Sequence, residues 1–361
     1  MKNLAVELLL ELLRIHSPTF NEDKAVKLLY DYAHRLDYDN VELDSVGNLI
    51  AKIGRGPYRI LLISHIDTLG DYIQPRFDGY RFYGRGAVDA KGPLAAMFIA
   101  ASLARKYIDV DKTSIHVIAA VGEEGPSHGV KHLIDVGVKY DSVIVGEPTN
   151  LVNVVIGCRG SCKIIIECQG SGGHSSSPWL YESACENLIK SWMKIRSLFN
   201  GTTVNEFSIA LLKITCGSNT NAIPRHGIAV ANIRIPIGKN SADVKSILDN
   251  IKLENKCSLR IEECTEPVKV SVNNLSVRAI NRALIKIGLK PRIAVKLGTS
   301  DMNILYSRVT TDIVEWGPGR SELSHSDHEE LTLDEYFTGI EVYRRAIIEL
   351  QHLHERQDNR S

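Results

Sequence analysis

The chain has no Cys-x-x-Cys pair, no net charge and no apolar run long enough to span a membrane, and each absence narrows what it can be. Without paired cysteines at close spacing, a structural zinc knuckle is excluded. Lys+Arg and Asp+Glu stand at 43 each, so no global field draws the chain to nucleic acid or a membrane surface. No stretch approaches the roughly 20 apolar residues a bilayer span needs, and Met1-Lys2-Asn3-Leu4 leads into an amphipathic helix pattern without a secretory cleavage site. No internal repeat and no low-complexity tract occurs. The seven cysteines (158, 162, 168, 185, 216, 257 and 264) are odd in number and cluster in the middle of the chain. That usage points to a reducing, cytoplasmic setting and leaves pairing among them open. What is present is an ordinary core-forming composition, 44% apolar and 24% charged over 361 residues, enough for one large domain or two unequal ones.

Leucines and alanines at helical spacing predict helices over residues 4–14 and 22–36, with Asn21 as the N-cap of the second. Residues 59–64, 114–121 and 141–145 are short, mostly apolar runs of the kind buried on both faces of a sheet. Helical spacing lies between them at 93–107 and 130–136. Strands alternating with helices predict an α/β fold: a mostly parallel sheet flanked by helices. The middle differs, with strand 161–168, helix 180–199, strands 206–215 and 228–235, helix 242–251 and strand 258–264. This β-α-β-β-α-β order predicts a ferredoxin-like α+β domain inserted over 158–267. Glycine and proline mark its edges near Gly157 and Pro267. The α/β pattern resumes with a helix at 274–287, a strand at 311–315 and a closing helix at 333–353. Residues 1–157 and 268–361 thus form one catalytic domain around the insertion.

Five segments carry chemistry: Ser64-His65-Ile66-Asp67, Gly84-Arg85-Gly86-Ala87-Val88-Asp89, Gly122-Glu123-Glu124, Gly146-Glu147-Pro148-Thr149, and Leu323-Ser324-His325-Ser326-Asp327-His328-Glu329. His65, Glu123, Glu124 and Glu147 fall where predicted strands end, which is where α/β sheets place functional groups. Taken singly, each has an ordinary alternative. His65 can be a satisfied histidine on a buried strand, and Asp89 a turn or N-cap aspartate. Glu123-Glu124 can be a solvated acidic turn, Glu147 a loop carboxylate and His325 a surface histidine. Together they offer N and O donors for two divalent ions of the zinc type, with one carboxylate, Glu123, left to act as a base. Adjacent carboxylates in a partly buried site repel, and cations relieve that repulsion.

With these motifs on the page, the chain resembles the two-zinc aminoacylase and carboxypeptidase superfamily that includes DapE, ArgE and carboxypeptidase G, over nearly its whole length. The resemblance implies that His65, Asp89 and Glu147 hold one metal, and Asp89, Glu124 and His325 the other. It implies zinc, with cobalt also suited, Asp67 as support for the histidine ligand and Glu123 as general base. It further implies that the insertion is a lid and homodimerisation domain. Gly173-His174-Ser175 matches the lid turn whose histidine reaches a partner's active site and stabilises the oxyanion. Asn221-Ala222-Ile223-Pro224 and Asn232-Ile233-Arg234 resemble segments that hold a substrate carboxylate, Arg234 through a bidentate fork. The family more often has Asp where Asn232 stands. Gly298-Thr299-Ser300-Asp301 resembles a pocket-lining loop, with Thr299 against substrate, although the same residues also suit a helix cap.

Gly84 to Leu94, Ser64 to Thr68 and Gly170 to Pro178 look most like the archaeal LysK branch. That branch releases lysine and ornithine from the C-terminal glutamate of the acidic carrier protein LysW. The resemblance implies a basic docking patch, with Lys163, Arg225, Lys239 and Lys296 as candidates. The same scaffold also carries acetylornithine and succinyl-diaminopimelate deacylation and dipeptide cleavage.

Overall fold

The computed structural model describes residues 1–217 and 221–358. The chain divides into two compact units. One comprises Met1–Ile156, Val270–Ala294 and the chain from Ser300 onward; the other comprises Gly157–Lys269 and Val295–Thr299.

In the first unit four strands run parallel, in the order Thr113–Ala120, Tyr58–His65, Ser142–Val145 and Ile313–Glu315. Antiparallel strands extend the sheet on both sides. Leu49–Ile53 and Asn40–Leu43 lie beyond Thr113–Ala120, and Asn153–Cys158 lies beyond Ile313–Glu315. The central strands are apolar because helices cover both faces of a parallel sheet. Every residue of Ser142–Val145 and Ile313–Glu315 is buried, and only Arg59 of Tyr58–His65 is exposed. The helix Lys91–Ala104 is buried almost all round, as a helix apolar on every side must be. Its alanines let it pack on Tyr58–His65 and against the helices Lys2–Leu13 and Leu333–Asp358. A small antiparallel sheet of Arg76–Phe77, Arg81–Tyr83 and Glu330–Thr332 then draws the segment after residue 325 alongside the segment before residue 89.

Several boundaries depart from the sequence pattern for local reasons. The second helix is Asp23–Arg35 with Glu22, not Asn21, at the cap position, because the Asn21 amide closes a turn onto Pro18. The helix expected from 93 begins at Lys91 and ends at Ala104, followed by the 3-10 turn Arg105–Tyr107. The strands Asn40–Leu43, Leu49–Ile53 and Asn153–Cys158 are too short for hydrophobic periodicity to announce them.

The second unit is a four-stranded antiparallel sheet in the order Ser208–Cys216, His226–Ile235, Gly160–Gln169, Cys257–Thr265. With the helices Ala184–Leu198 and Ser241–Asp249 it has the ferredoxin-like order. Its core is the helix-facing side of the two inner strands, Cys162, Ile164, Ile166, Ala229, Ala231 and Ile233 among them, packed against Leu188, Trp192, Ile195, Val244 and Leu248. The first helix begins at Ala184 rather than 180, because Pro178–Leu180 forms a 3-10 turn and the Ser183 hydroxyl caps the helix by accepting the Glu186 amide.

Three disulfides, Cys162–Cys264, Cys168–Cys257 and Cys185–Cys216, lie in this unit, and buried Cys158 stands outside them. The first two join residues directly opposite on neighbouring strands, on either side of a bulge between Ile261 and Glu263. With six of seven cysteines bridged, the odd count no longer supports a reducing compartment.

Candidate metal centre

The parallel order of the sheet sends Tyr58–His65, Thr113–Ala120 and Ser142–Val145 to one edge, and the chain delivers His65, Glu123-Glu124 and Glu147 there. Asp89 joins them from the turn before the helix Lys91–Ala104, whose first flanking residue is Ala90, so Asp89 is not its cap. His325 joins from the loop after Ile313–Glu315. All lie in the first unit. Glycine is required at Gly86 and Gly122. Both have positive φ (+88° and +77°), and a Cβ would lie 2.8 Å from Lys91 Cδ at Gly86 and 2.1 Å from His128 Nδ1 at Gly122.

The donors form two sets that share one residue. His65, Asp89 and Glu147 bring ligand atoms within 4.8 Å of one another, as do Asp89, Glu124 and His325. Asp89 turns one oxygen to each: Oδ1 is 3.1 Å from His65 Nε2, and Oδ2 is 3.3 Å from His325 Nε2. Glu147 Oε1 is 3.7 Å from His65 Nε2, and Glu124 Oε1 is 2.9 Å from His325 Nε2. Glu123 clusters with His65 and Glu124 in a third group. Each of the first two sets is one imidazole with two carboxylates, three N/O ligands of the kind a catalytic zinc-type ion takes while keeping a position open. The residues fit two divalent ions.

Electrostatics agree with the donor chemistry. Burial pushes Glu123 well above the usual carboxylate range, and Glu147, Asp301 and Glu124 add to this against the pull of His65. Burial also raises Glu124, with Asp89 adding. Hydrogen bonding to Asp89, then the charges of Glu124 and Asp89, bring His325 up to about 9 against its burial. Burial opposes charge on His65, but Asp67, Asp89 and the neighbouring glutamates outweigh it and hold its pKa well above the usual value. Anions crowded around two histidines are what a site built for cations looks like when only its own charges are counted.

Asp67 supports the centre in an unexpected way. The His65 Nδ1 partner is the Asp67 backbone carbonyl, at 2.9 Å, with the carboxylate 3.6 Å away. That carboxylate instead accepts the Glu123 amide on Oδ1 and the Glu124 amide on Oδ2, both at 3.1 Å, and the Thr19 hydroxyl at 2.8 Å. Sequence reasoning also missed Lys91, the buried first residue of the helix Lys91–Ala104, which donates to the carbonyls of Leu12 and Ile15. Its signal was a charged residue opening an otherwise apolar helix.

In the second unit, His174 and Asn221 are neighbours. Gly173–His174 pairs with Ala222–Ile223, and the Ser175 amide donates to the Asn221 carbonyl at 3.1 Å. They line a hollow of about 690 Å³ with Arg225 and His226. His174 Nδ1 accepts the Ser176 amide at 3.2 Å, so the neutral ring carries its proton on Nε2. Arg234 lies on His226–Ile235 opposite Ser161 and Ser208, and burial lowers its pKa. Among the described residues Asn232 Oδ1 is buried without a hydrogen-bond partner. Arg159, unnoticed in the sequence, donates to the Arg234 carbonyl at 3.2 Å and to Ser208 Oγ at 3.1 Å. Thr299 ends the short segment Val295–Thr299, while its neighbour Ser300 caps the helix Asp301–Leu305. Of the basic candidates, Lys163 is ion-paired with Glu262 at 2.7 Å and Arg225 lines the hollow beside His174.

A parallel α/β sheet with this donor set at its carboxyl edge defines a candidate two-metal centre. The profile of peptidase family M20/M25/M40 matches residues 61–349, and the chain belongs to that family. It is 40% identical over 349 residues to the LysW-lysine/LysW-ornithine hydrolase of Sulfurisphaera tokodaii, covering 95% of each chain. It is 38% identical over 353 residues to the Saccharolobus solfataricus protein of the same name, covering 97% of each. Among solved structures, a tripeptidase from Staphylococcus aureus shares the fold at a TM-score of 0.84, with 21% identity over 97% of this chain and 98% of that one. An M20-family metallo-carboxypeptidase from Sulfolobus solfataricus shares it at 0.76, with 17% identity over 96% and 99%.

Proposed function

We propose that this protein hydrolyses the amide that joins lysine or ornithine to the C-terminal glutamate of the carrier protein LysW, in lysine and arginine biosynthesis in the cytoplasm. The observation that carries this is near-full-length identity of about 40% to hydrolases named for that reaction, on a chain with both donor sets in place. His65, Asp89 and Glu147 would hold one ion and Asp89, Glu124 and His325 the other, with zinc the expected metal and cobalt able to replace it. Bound there, two divalent ions polarise a scissile carbonyl and acidify water. Glu123, its pKa held above the usual carboxylate range by burial and its neighbours, takes the proton of the attacking water and passes it to the leaving amine. His174 donates its Nε2 proton to the developing oxyanion. Asn221, Arg234 and Thr299 hold the carboxylate of the departing amino acid.

His174 acts in this scheme from a second copy, joined through the ferredoxin-like unit. Two features of that unit support a homodimer. Its edge strand Ser208–Cys216 leaves Leu211, Leu212 and Ile214 exposed, and the helix Ala184–Leu198 exposes Ile189 and Met193. The acidic carrier would meet basic groups of the ferredoxin-like unit, Arg225 in the hollow beside His174 the foremost of them.

The test offers metal-loaded protein LysW-lysine, LysW-ornithine, acetylornithine and succinyl-diaminopimelate side by side, each with a chelator control. Chelator-sensitive release from the carrier-linked substrates alone is expected. Release only from a small acylated substrate would overturn the carrier reading and keep the metal chemistry.

A further inference from the structure

The two donor sets are built differently. His65 and Glu147 follow strands locked in the parallel sheet, hydrogen-bonded to neighbours on both sides. Asp89 and His325 both sit on loops, and His325 is half exposed with φ of +61°. Something other than the sheet must hold these two loops in register.

That link is a buried ion pair absent from the site assignments above. Glu329, 1% exposed, accepts the amides of Val88 and Asp89 on one oxygen, Oε1, at 2.9 Å each. Its other oxygen faces Arg85 Nη1 at 3.3 Å. The same Arg85 nitrogen donates to the carbonyl of Ser326, the residue after His325, at 2.8 Å, and Arg85 Nε donates to the Asp71 carbonyl at 3.1 Å. The Glu329 carbonyl accepts the Gly84 amide at 3.2 Å, and the pairing of Glu330 with Tyr83 continues the contact as a ladder. A continuous path of hydrogen bonds therefore runs from the backbone beside His325, through Arg85 and Glu329, to the backbone of Asp89. Bonds from amides and a guanidinium to a buried carboxylate are the strong, geometrically strict kind.

We infer that Glu329 and Arg85 are positioning residues for the ion held by Asp89, Glu124 and His325, and that they set its affinity without touching it. The assignment rests on the two-metal reading above. Because Asp89 also faces His65, the first site is affected less, its other two ligands being fixed by the sheet. A glutamine at 329 can still accept the Val88 and Asp89 amides, but its NH₂ then opposes the Arg85 guanidinium. An alanine removes the acceptor of the Val88 and Asp89 amides and the counter-charge of the Arg85 guanidinium, which keeps its bonds to the Ser326 and Asp71 carbonyls.

The experiment titrates metal-stripped protein with Co²⁺, following heat and the visible absorption of the bound ion. Wild type is expected to show two binding events and His325→Ala to lose the weaker one. Glu329→Gln and Arg85→Lys are expected to retain the tighter event and weaken the other by about 10–100-fold, the usual effect of removing a partner that orients a metal ligand. Glu329→Ala should lose more than Glu329→Gln. Two unchanged events in the folded variants would overturn the assignment, and so would equal weakening of both, which would mark general loosening. If wild type binds fewer than two ions, the two-metal reading fails first and this assignment falls with it. Should Glu329→Ala not fold, Glu329→Gln and Arg85→Lys decide the question alone.

Discussion

Asp67 Oδ1 accepts the backbone amide of Glu123 at 3.1 Å, so the residue expected to support a histidine also holds the backbone of the proposed base. The Glu124 amide on Oδ2 makes this a two-point hold on adjacent residues, one proposed as base and the other as ligand. Against its burial, the imidazole of His65 and then the Thr19 hydroxyl keep the Asp67 carboxyl below its ordinary pKa.

Asp67→Asn should therefore lower kcat more than it changes KM. The asparagine has one oxygen where two amides need acceptors, and its NH₂ opposes one of them. A loss of about 10–100-fold is expected, the range for removing a partner that orients a functional ligand. Steady-state kinetics with metal content measured in parallel checks this. A variant with wild-type kcat would show that the backbone of Glu123 holds its place without Asp67.

Glu123→Gln should cost about two to four orders of magnitude in turnover, the contribution of a positioned general base. Metal content should stay at the wild-type value, because the two principal donor sets do not include Glu123. Unchanged turnover would assign the proton transfer to another group.

His116 gives a pH dependence remote from the metal centre. It lies on Thr113–Ala120 with Nδ1 2.9 Å from the Tyr140 hydroxyl, and burial lowers its pKa from 6.5 to about 4, with Lys52 and Arg59 adding and Glu42 opposing. Between those two values the unfolded chain binds a proton that the folded chain refuses, so stability is lost as pH falls from 6.5 toward 4. The full effect is on the order of 3 kcal/mol. Urea midpoints of wild type and His116→Gln at several pH values isolate it, with the variant expected to lose less stability on acidification. Parallel curves for the two proteins would remove His116 from the account.

The cysteines yield a direct count. Protein denatured without reductant should present one thiol per chain to a thiol reagent, that of Cys158, and seven after reduction. Reduction should also destabilise the ferredoxin-like unit by about 2–5 kcal/mol. Seven thiols without reductant would mean that the three pairs do not form.

The parallel core and the strand-end placement of His65, Glu123, Glu124 and Glu147 were legible in the sequence because they depend on neighbours a few residues apart. Short apolar runs bury on both faces, alternation with helices makes the sheet parallel, and a parallel sheet leaves its functional groups at one edge. The ferredoxin-like order was legible for the same reason, through the alternation along His226–Ile235 and its partners. Tertiary structure alone decided what joins distant segments. Glu329 and Asp89 lie 240 residues apart, and nothing local in either loop signals that one carboxylate will take the other's amide. The cross-strand cysteine pairs span 102 and 89 residues, and the Asp67 contact to Glu123 spans 56. Periodicity and capping are short-range properties of a chain, whereas partners at such separations are set only when the sheet order brings their elements together.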